Sequence, residues 1–214
     1  MIDVSKKKRI VLKLGTSTLT HKTGKLNIRR MTNLVRILSD LHNEGRELLL
    51  VSSGAVGMGV GKLNLSERPK DTPSKQAAAA VGQCELMHIY DDMFAKYNVT
   101  VAQILLTRAT LTNERLPHVQ NTIGRLLEMG VIPIVNENDT VAIDELELEI
   151  GENDSLSATV AAAVGADLLV ILSDINGLYS ADPRTNADAQ VIREVHKIDE
   201  HIEPVSYTHL TLPT

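Results

Sequence analysis

The chain has 214 residues, of which 43% are hydrophobic, and a formal net charge of −5. This length and apolar content are enough for the core of one large α/β domain. Aromatic residues make up 2% of the sequence and tryptophan is absent. The chain therefore lacks the basic stripe and the stacking rings that nucleic-acid binding uses, so we expect no nucleic-acid partner.

The sequence also argues against secretion and membrane association. The basic N-terminal segment lacks the long apolar core and cleavage site of a secretory signal, and no stretch is long enough to span a bilayer. Cys84 is the single cysteine and lies in an apolar helical pattern, which predicts a buried structural thiol. The seven histidines show no spaced pair of the HExxH type, so a zinc site has few candidates. We expect a cytoplasmic protein.

The first predicted element is a buried strand over residues 9–14, RIVLKL. A tight turn is expected at residues 15–17 and would bring backbone N–H groups close to an anion. Lys13 interrupts the apolar run. It either extends to water along its aliphatic stem or has a function at the strand end, and the strand alone does not decide between them. The lysine precedes the glycine, so this is not a Walker A motif.

A helix over 28–45 and a second strand over 47–51 follow, and the strand runs into Ser52-Ser53-Gly54. Hydroxyls and free N–H groups at the start of a helix favour carboxylates and phosphates. The glycines after this turn do not match GxGxxG, so a dinucleotide site has weak support. Gly57 and Gly59 also suit close helix packing.

The middle of the chain continues the alternation of helix and strand. We expect a surface loop or lid over 62–74, a helix over 75–97 and a strand over 99–107. The next helix, over 113–130, starts or kinks near Pro117. This order predicts a doubly wound, mainly parallel sheet sandwiched by helices.

Two clusters of acids and amides then face one crevice. Residues 131–135 have no polar face, as in a strand covered on both sides, and the strand ends at Asn136, Asn138 and Asp139. Glu152-Asn153-Asp154 opens an alanine-rich helix, with Asp154 or its neighbour at the N-cap. Either cluster alone is more often a strand end or a cap. Together, at the carboxyl edge of a parallel sheet, they favour a ligand with an ammonium and a carboxylate.

The segments around the second cluster complete the pattern. Residues 141–150 alternate apolar and acidic side chains, which predicts an exposed hairpin or flap. Residues 166–174 form another apolar strand that ends at Ser173-Asp174 and leads into a turn-rich loop.

Seven segments, in order over residues 9–204, resemble the glutamate 5-kinases of the amino acid kinase family. They are KLGTS (13–17), VSSGA (51–55), SKQAAAAVGQ (74–83), LLTR (105–108), VIPIVNENDTVA (131–142), GENDSLSA (151–158) and LLVILSDINGLYSADPR (168–184). The resemblance implies the amino acid kinase fold and ATP-dependent, Mg²⁺-assisted phosphorylation of the γ-carboxylate of L-glutamate, the first step of proline biosynthesis. It also implies a homo-oligomer and feedback inhibition by L-proline.

The resemblance assigns roles to individual residues. Lys13 is expected to contact the ATP phosphates and stabilise the transferring phosphoryl group, and Asp154 to position catalytic lysines. The residues expected to hold glutamate are Ser53, Asp139 and Asn153, with Asn136 as a further candidate. The residues expected to line the nucleotide site are Ser173 and Asp174, with Tyr179 and Asp182 nearby. The chemistry agrees, because an ionised carboxylate nucleophile needs alignment and charge neutralisation but no general base.

The end of the sequence departs from the family. The family continues with a GTGGMxTK loop, whereas this chain ends VSYTHLTLPT. We therefore expect an amino acid kinase domain over 1–204, C-terminally incomplete and impaired in catalysis, and a non-family tail over 205–214 that is artefactual or disordered. The alternatives are a non-catalytic amino-acid-binding module and a kinase for a related acidic amino acid. N-acetylglutamate is disfavoured because an acetylated amine would leave Asp139 unpaired.

Overall fold

A computed structural model of the chain describes residues 3, 6–21, 25–112, 114–141, 154–173, 175 and 177–197. Its strands are β1 (Arg9–Leu14), β2 (Glu47–Ser52), β3 (Thr100–Leu106), β4 (Val131–Glu137), β5 (Leu168–Leu172), β6 (Leu178–Tyr179) and β7 (Val191–Ile192). Its α-helices are α1 (Thr16–Leu19), α2 (Ile28–Asn43), α3 (Ala55–Lys62), α4 (Thr72–Ala95), α5 (Leu116–Glu128) and α6 (Asp154–Ala163), and a 3₁₀ turn covers Arg108–Leu111.

The central element is a five-stranded sheet in the order β3-β4-β2-β1-β5. Every neighbouring pair in it is parallel, so the carboxyl ends of the five strands open on the same edge. Strands β6 and β7 form a separate antiparallel pair. The prediction of a mainly parallel sheet is confirmed.

Helices cover both faces of the sheet. One buried cluster joins the strands to α2 and α4, and the other joins them to α5 and α6. Successive side chains of a strand point to opposite faces. In β1, Leu12 and Leu14 belong to the α2 and α4 side, whereas Val11 belongs to the α5 and α6 side. By this alternation the side chain of Lys13 points towards the α5 and α6 face.

The local signals in the sequence set several boundaries correctly. Asn27 caps α2 by accepting a hydrogen bond from the Arg30 N–H at 3.1 Å. The first turn of α5 contains Pro117, so this proline starts the helix. The chain turns tightly after Gly15, as predicted, because the Thr18 N–H donates to the Gly15 carbonyl, and the turn continues as the short helix α1 from Thr16.

The prediction that Cys84 is buried is wrong, since its side chain is exposed. The buried positions of α4 include Gln83, Leu86, Tyr90 and Phe94. A helix turns by about 100° per residue, so Cys84 lies to the side of this buried face. The apolar composition of the segment was misread as burial on every side of the helix.

Several predictions fall outside the described residues. These are the flap beyond Val141, the site residues Asn153 and Asp174, the cap before Asp154, and the tail over 205–214. Within the part of the chain that is described, no helix has both the length and the apolar character to cross a bilayer.

Close packing of α3 on α4 depends on glycine. A Cβ added at Gly82 would lie 1.7 Å from the Ala55 carbonyl oxygen, and one at Gly59 would lie 1.8 Å from the Ala78 carbonyl oxygen. No side chain fits at these separations, so the two helices touch backbone to backbone. The expectation of close packing at Gly59 is confirmed, and the contact fixes α4 against the start of α3.

We predict that Gly82→Ala destabilises the fold by about 2–3 kcal/mol, because the two helix backbones must separate. Gly61→Ala is the matched control in α3, since a Cβ there meets nothing within 4 Å. That control is expected to stabilise the fold by about 0.5–1 kcal/mol through helix propensity. Urea unfolding followed by circular dichroism measures both. Equal stabilities for the two variants would contradict the backbone contact.

Candidate functional site

Strand β1 and the start of helix α6 bring Lys13 and Asp154 together. Lys13 Nζ lies 2.7 Å from Asp154 Oδ1, and the two side chains are 8% and 15% exposed. The lysine therefore does not reach bulk water, and the interpretation of Lys13 as an extended surface lysine is wrong. Asp154 is the first residue of α6, where the helix dipole stabilises a negative charge.

The separation of this pair defines it as an ion pair, yet Asp154 Oδ1 receives no well-directed hydrogen bond within the described part of the chain. The short distance is enough for a strong attraction, because the attraction between two charges in a poorly hydrated place does not depend on a hydrogen-bond angle. An ammonium has three N–H donors. Lys13 can therefore hold Asp154 and also donate to an incoming anion such as a phosphate.

The strand register places Lys13 beside the other strand ends. Lys13 pairs with Val51 of β2 and with Ile171 of β5, and Val51 pairs with Val135 of β4. These four residues therefore lie at one level of the sheet. The polar residues that follow them in β2, β4 and β5 lie along the same carboxyl edge, where parallel sheets bind ligands.

Ser53 lies between the end of β2 and the start of α3. It precedes Gly54, which has a φ of 102° and occupies the cap position of the helix without a side chain. The left-handed backbone at this position favours glycine. The predicted strand, Ser-Ser-Gly turn and helix start are confirmed, and the turn directs the first N–H groups of α3 towards this edge.

Asn136 is buried at the end of β4. It is 2% exposed, its Nδ2 donates to Gln83 Oε1 at 2.8 Å, and its Oδ1 accepts from the Glu137 N–H at 2.9 Å. Gln83 comes from α4 and is 6% exposed. The two amides link the end of β4 to α4 through a buried hydrogen bond.

Asp139 lies just after β4 and is partly buried. Burial, with a further contribution from the nearby carboxylate of Glu137, raises the pKa of Asp139 to about 6, and the positive charge of Arg68 partly offsets this rise. A half-buried carboxylate with a raised pKa is poorly stabilised in the free protein. A cationic group placed beside it would be bound favourably.

A narrow cleft connects these elements. Its lining residues are Ala55, Ala79, Gln83, Leu105, Glu137, Asn138, Asp139 and Thr140. The cleft therefore joins the start of α3, the buried face of α4 and the residues after β4. A larger and more open depression near the start of α2 is lined by none of the predicted site residues.

Of the residues predicted for the nucleotide, Ser173 lies on the side of β1 away from β2 and β4. Ser173 directly follows β5, the neighbour of β1. Tyr179 belongs to β6 in the separate two-stranded sheet. Asp182 holds the turn after β6, where its Oδ1 accepts from the Arg184 N–H at 2.9 Å. Asn153 and Asp174 lie outside the described residues.

Two residues at the edge were not singled out from the sequence. Gln83 stands in the quoted segment SKQAAAAVGQ and has the same helical face as Leu86 and Tyr90. A polar residue at such a core position was the available signal. Arg68 belongs to the loop between α3 and α4, and only its effect on the pKa of Asp139 reveals its position.

Comparisons with known proteins agree with this geometry. The amino acid kinase family profile matches residues 8–210. A glutamate 5-kinase of Clostridium perfringens is 55% identical over 199 residues, which are 92% of this chain and 74% of that protein. The glutamate 5-kinases of Clostridium tetani and Listeria monocytogenes are 55% and 52% identical, and the matches cover 91% and 93% of this chain and 73% of each relative.

The fold also matches a solved structure. UMP kinase from Ureaplasma parvum superimposes with a TM-score of 0.60 over 96% of this chain and 87% of that chain, at 14% sequence identity. At this identity the likeness concerns the fold alone. The profile match and the identity to curated relatives go further, and they establish that the chain belongs to the amino acid kinase family, in its glutamate 5-kinase branch.

Proposed function

We propose that the chain phosphorylates the γ-carboxylate of L-glutamate with ATP. The observation that carries this proposal is the contact of Lys13 with Asp154 at the same sheet edge as the Asp139 cleft. One side of the edge supplies a buried ammonium for phosphates, and the other supplies a carboxylate for an amino acid's ammonium. A substrate that spans the edge has its distal carboxylate next to Lys13.

In the proposed reaction a γ-carboxylate oxygen attacks the terminal phosphorus of ATP. The new bond is the acyl phosphate O–P bond, and the bond between the terminal phosphorus and the ADP oxygen breaks with its electron pair on ADP. The nucleophile is ionised at neutral pH, so no general base is needed. Lys13 stabilises the negative charge on the transferring group, and Asp154 holds Lys13 in place.

Asp139 fits the α-ammonium of the amino acid. Asp139 lines the cleft, and burial together with the nearby Glu137 raises its pKa to about 6, so its charged form is disfavoured in the free protein. An ammonium bound beside it would offset this cost. An acetylated amine has no positive charge to do so, and glutamate is therefore favoured over N-acetylglutamate.

The nucleotide is proposed to lie near β1 and β5, where Lys13 and Ser173 end adjacent strands. Asp174, Tyr179 and Asp182 remain proposals for the same site. Among the described residues no three potential ligands of His, Cys, Asp or Glu gather together. This fits Mg²⁺ that takes its ligands mainly from phosphates and water, and bound Mg²⁺ neutralises phosphate charge.

Membership of the family supports three further proposals. They are a cytoplasmic enzyme, a homo-oligomer, and inhibition by L-proline at or near the glutamate site. Asn153 and Asn136 likewise remain proposals for holding glutamate. Asn136 is buried and bonded to Gln83, which favours a supporting role behind the cleft.

Lys13→Met tests the catalytic assignment. We expect glutamate-dependent release of ADP from ATP to fall by about a hundredfold or more, because the transferring phosphoryl group loses its cation. Glutamate binding, measured by calorimetry, is expected to persist. Glutamate binding without ATP binding in the unaltered chain would instead favour a non-catalytic amino-acid-binding module.

The same substitution has a predicted effect on stability. Lys13→Met leaves the largely buried Asp154 carboxylate unpaired, which costs about 3–5 kcal/mol, and Lys13→Met with Asp154→Asn recovers most of this loss. Lys96→Met is the control, because Lys96 pairs with Asp92 while both side chains are exposed, and we expect a change below about 1 kcal/mol. Urea unfolding of the variants measures the difference.

Asp139 gives the binding of glutamate a pH dependence. The ammonium needs an ionised partner, so affinity is expected to fall as the pH drops below about 6, approaching tenfold per unit. Asp139→Asn is expected to bind weakly at every pH from about 5 to 8. Calorimetry across this range provides the test, and a wild-type affinity that does not change with pH would contradict the role.

Ionisation of Asp139 affects folding stability in the opposite direction from its effect on glutamate binding. The folded pKa of Asp139, about 6, lies above the ordinary value of 3.8, so the folded protein binds this proton more tightly. The stabilising contribution of the protonated carboxyl is lost as the pH rises through about 6. Without glutamate, Asp139→Asn is therefore expected to be more stable than the wild type at pH 7, by on the order of 1 kcal/mol.

A further inference from the structure

The Gln83 side chain is buried and has an unused hydrogen-bond donor. It is 6% exposed, and its Nε2 has no hydrogen-bond partner among the described residues. A buried donor without a partner is destabilising, and native proteins keep few of them. The side chain lines the same cleft as Asp139, which makes a ligand that enters this cleft the candidate partner for the donor.

Neighbouring groups fix which way the Gln83 amide points. The Glu137 N–H donates to Asn136 Oδ1, so the other end of the Asn136 amide must be its donor, Nδ2. That Nδ2 meets Gln83 at 2.8 Å, and only Oε1 of Gln83 can accept there. The donor group of Gln83 is thereby turned away from Asn136 and keeps no partner among the described residues.

The position of Gln83 is rigid. Its chain neighbour Gly82 lies against the backbone of Ala55, at the start of α3. The buried bond to Asn136 joins the side chain to β4. A donor held by a helix contact and by a second amide loses little freedom when a ligand binds. It therefore favours ligands that place an acceptor at its fixed position.

The other groups of the cleft indicate what Gln83 binds. Glu137 and Asp139 present carboxylates, which bind cations and repel anions. Ala55, Ala79 and Leu105 have apolar side chains without hydrogen-bond donors. The remaining polar residues, Asn138 and Thr140, bond to each other. Next to an acceptor for an ammonium, the cleft therefore holds a buried donor suited to a carboxylate oxygen. An α-amino acid has both groups on one carbon atom.

Resting on the proposed function, we propose that Gln83 is a specificity-determining residue whose Nε2 binds the α-carboxylate of the amino acid substrate. Asn136 then acts as a positioning residue that sets the Gln83 amide. The pair selects α-amino acids over amines that lack the α-carboxylate, because such amines leave the buried donor unpaired.

Gln83→Glu tests this assignment with little change in shape. The variant retains an oxygen for Asn136 Nδ2 and replaces the donor by an oxygen that cannot donate when the carboxylate is ionised. Calorimetry with L-glutamate and with 4-aminobutyrate, which is glutamate without its α-carboxylate, gives the two affinities. We expect the affinity for glutamate to fall by more than about tenfold, and the preference for glutamate over 4-aminobutyrate to shrink by the same factor.

Gln190→Glu is the matched control, because Gln190 is exposed beside the small β6 and β7 sheet. It makes the same chemical change and is expected to leave the affinity for glutamate within about twofold. Gln83→Met provides a second variant without a buried charge. It too is expected to lose the preference for glutamate over 4-aminobutyrate, and thermal melting verifies that each variant is folded.

The outcomes separate the two proposals. If the unaltered chain binds glutamate and Gln83→Glu binds it within about twofold, Gln83 only supports Asn136 and the assignment is overturned. If the unaltered chain binds no glutamate, the proposed function fails together with it. Loss of glutamate affinity in both Gln83 variants, with Gln190→Glu unchanged, is the expected result.

Discussion

The ion pair between Lys13 and Asp154 joins the first strand of the sheet to the last helix before its final strand. Its two members are 141 positions apart in the sequence, yet their charged atoms lie 2.7 Å apart. The sheet order makes this possible, because β1 lies directly beside β5, the strand that follows α6. Removal of one partner would leave a buried charge uncompensated, so the same contact couples folding to the arrangement of the site.

The second constraint is the contact of α3 with α4. Gly59 and Gly82 allow the two helices to meet backbone to backbone, and this brings the buried face of α4 over the end of β4. Farther along the same face, the Tyr90 hydroxyl lies 2.9 Å from Ser52 Oγ at the end of β2. Helix α4 is thus tied to two strand ends by side chains and to α3 by its backbone, which leaves Gln83 little freedom to move.

Much of this arrangement could be predicted from the sequence, and the failures have identifiable causes. Apolar runs such as residues 131–135 gave the buried strands because both of their faces are covered. The acid and amide clusters after these runs located the sheet edge. Cys84 was misjudged because apolar composition does not reveal which side of a helix is buried. The polar character of Gln83 at a core position is visible in the sequence, but its unpaired Nε2 is a property of three-dimensional contacts. The positive charge of Arg68, which lowers the pKa of Asp139, belongs to a loop without periodicity, so no local pattern could anticipate its effect.

The free site contains three groups whose interactions are incomplete within the described structure. Lys13 has donors beyond the one directed at Asp154, Gln83 has an unpaired donor, and Asp139 has a raised pKa because burial and Glu137 disfavour its charge. Each of these costs stability in the unliganded protein. A phosphate complements the Lys13 ammonium, an α-carboxylate complements the Gln83 donor, and an ammonium complements the Asp139 carboxylate. One amino acid with a nucleotide beside it would satisfy all three groups at once. Interactions that are missing in the unliganded protein would then contribute to binding affinity, and the spacing of the three groups would determine which substrate can make them.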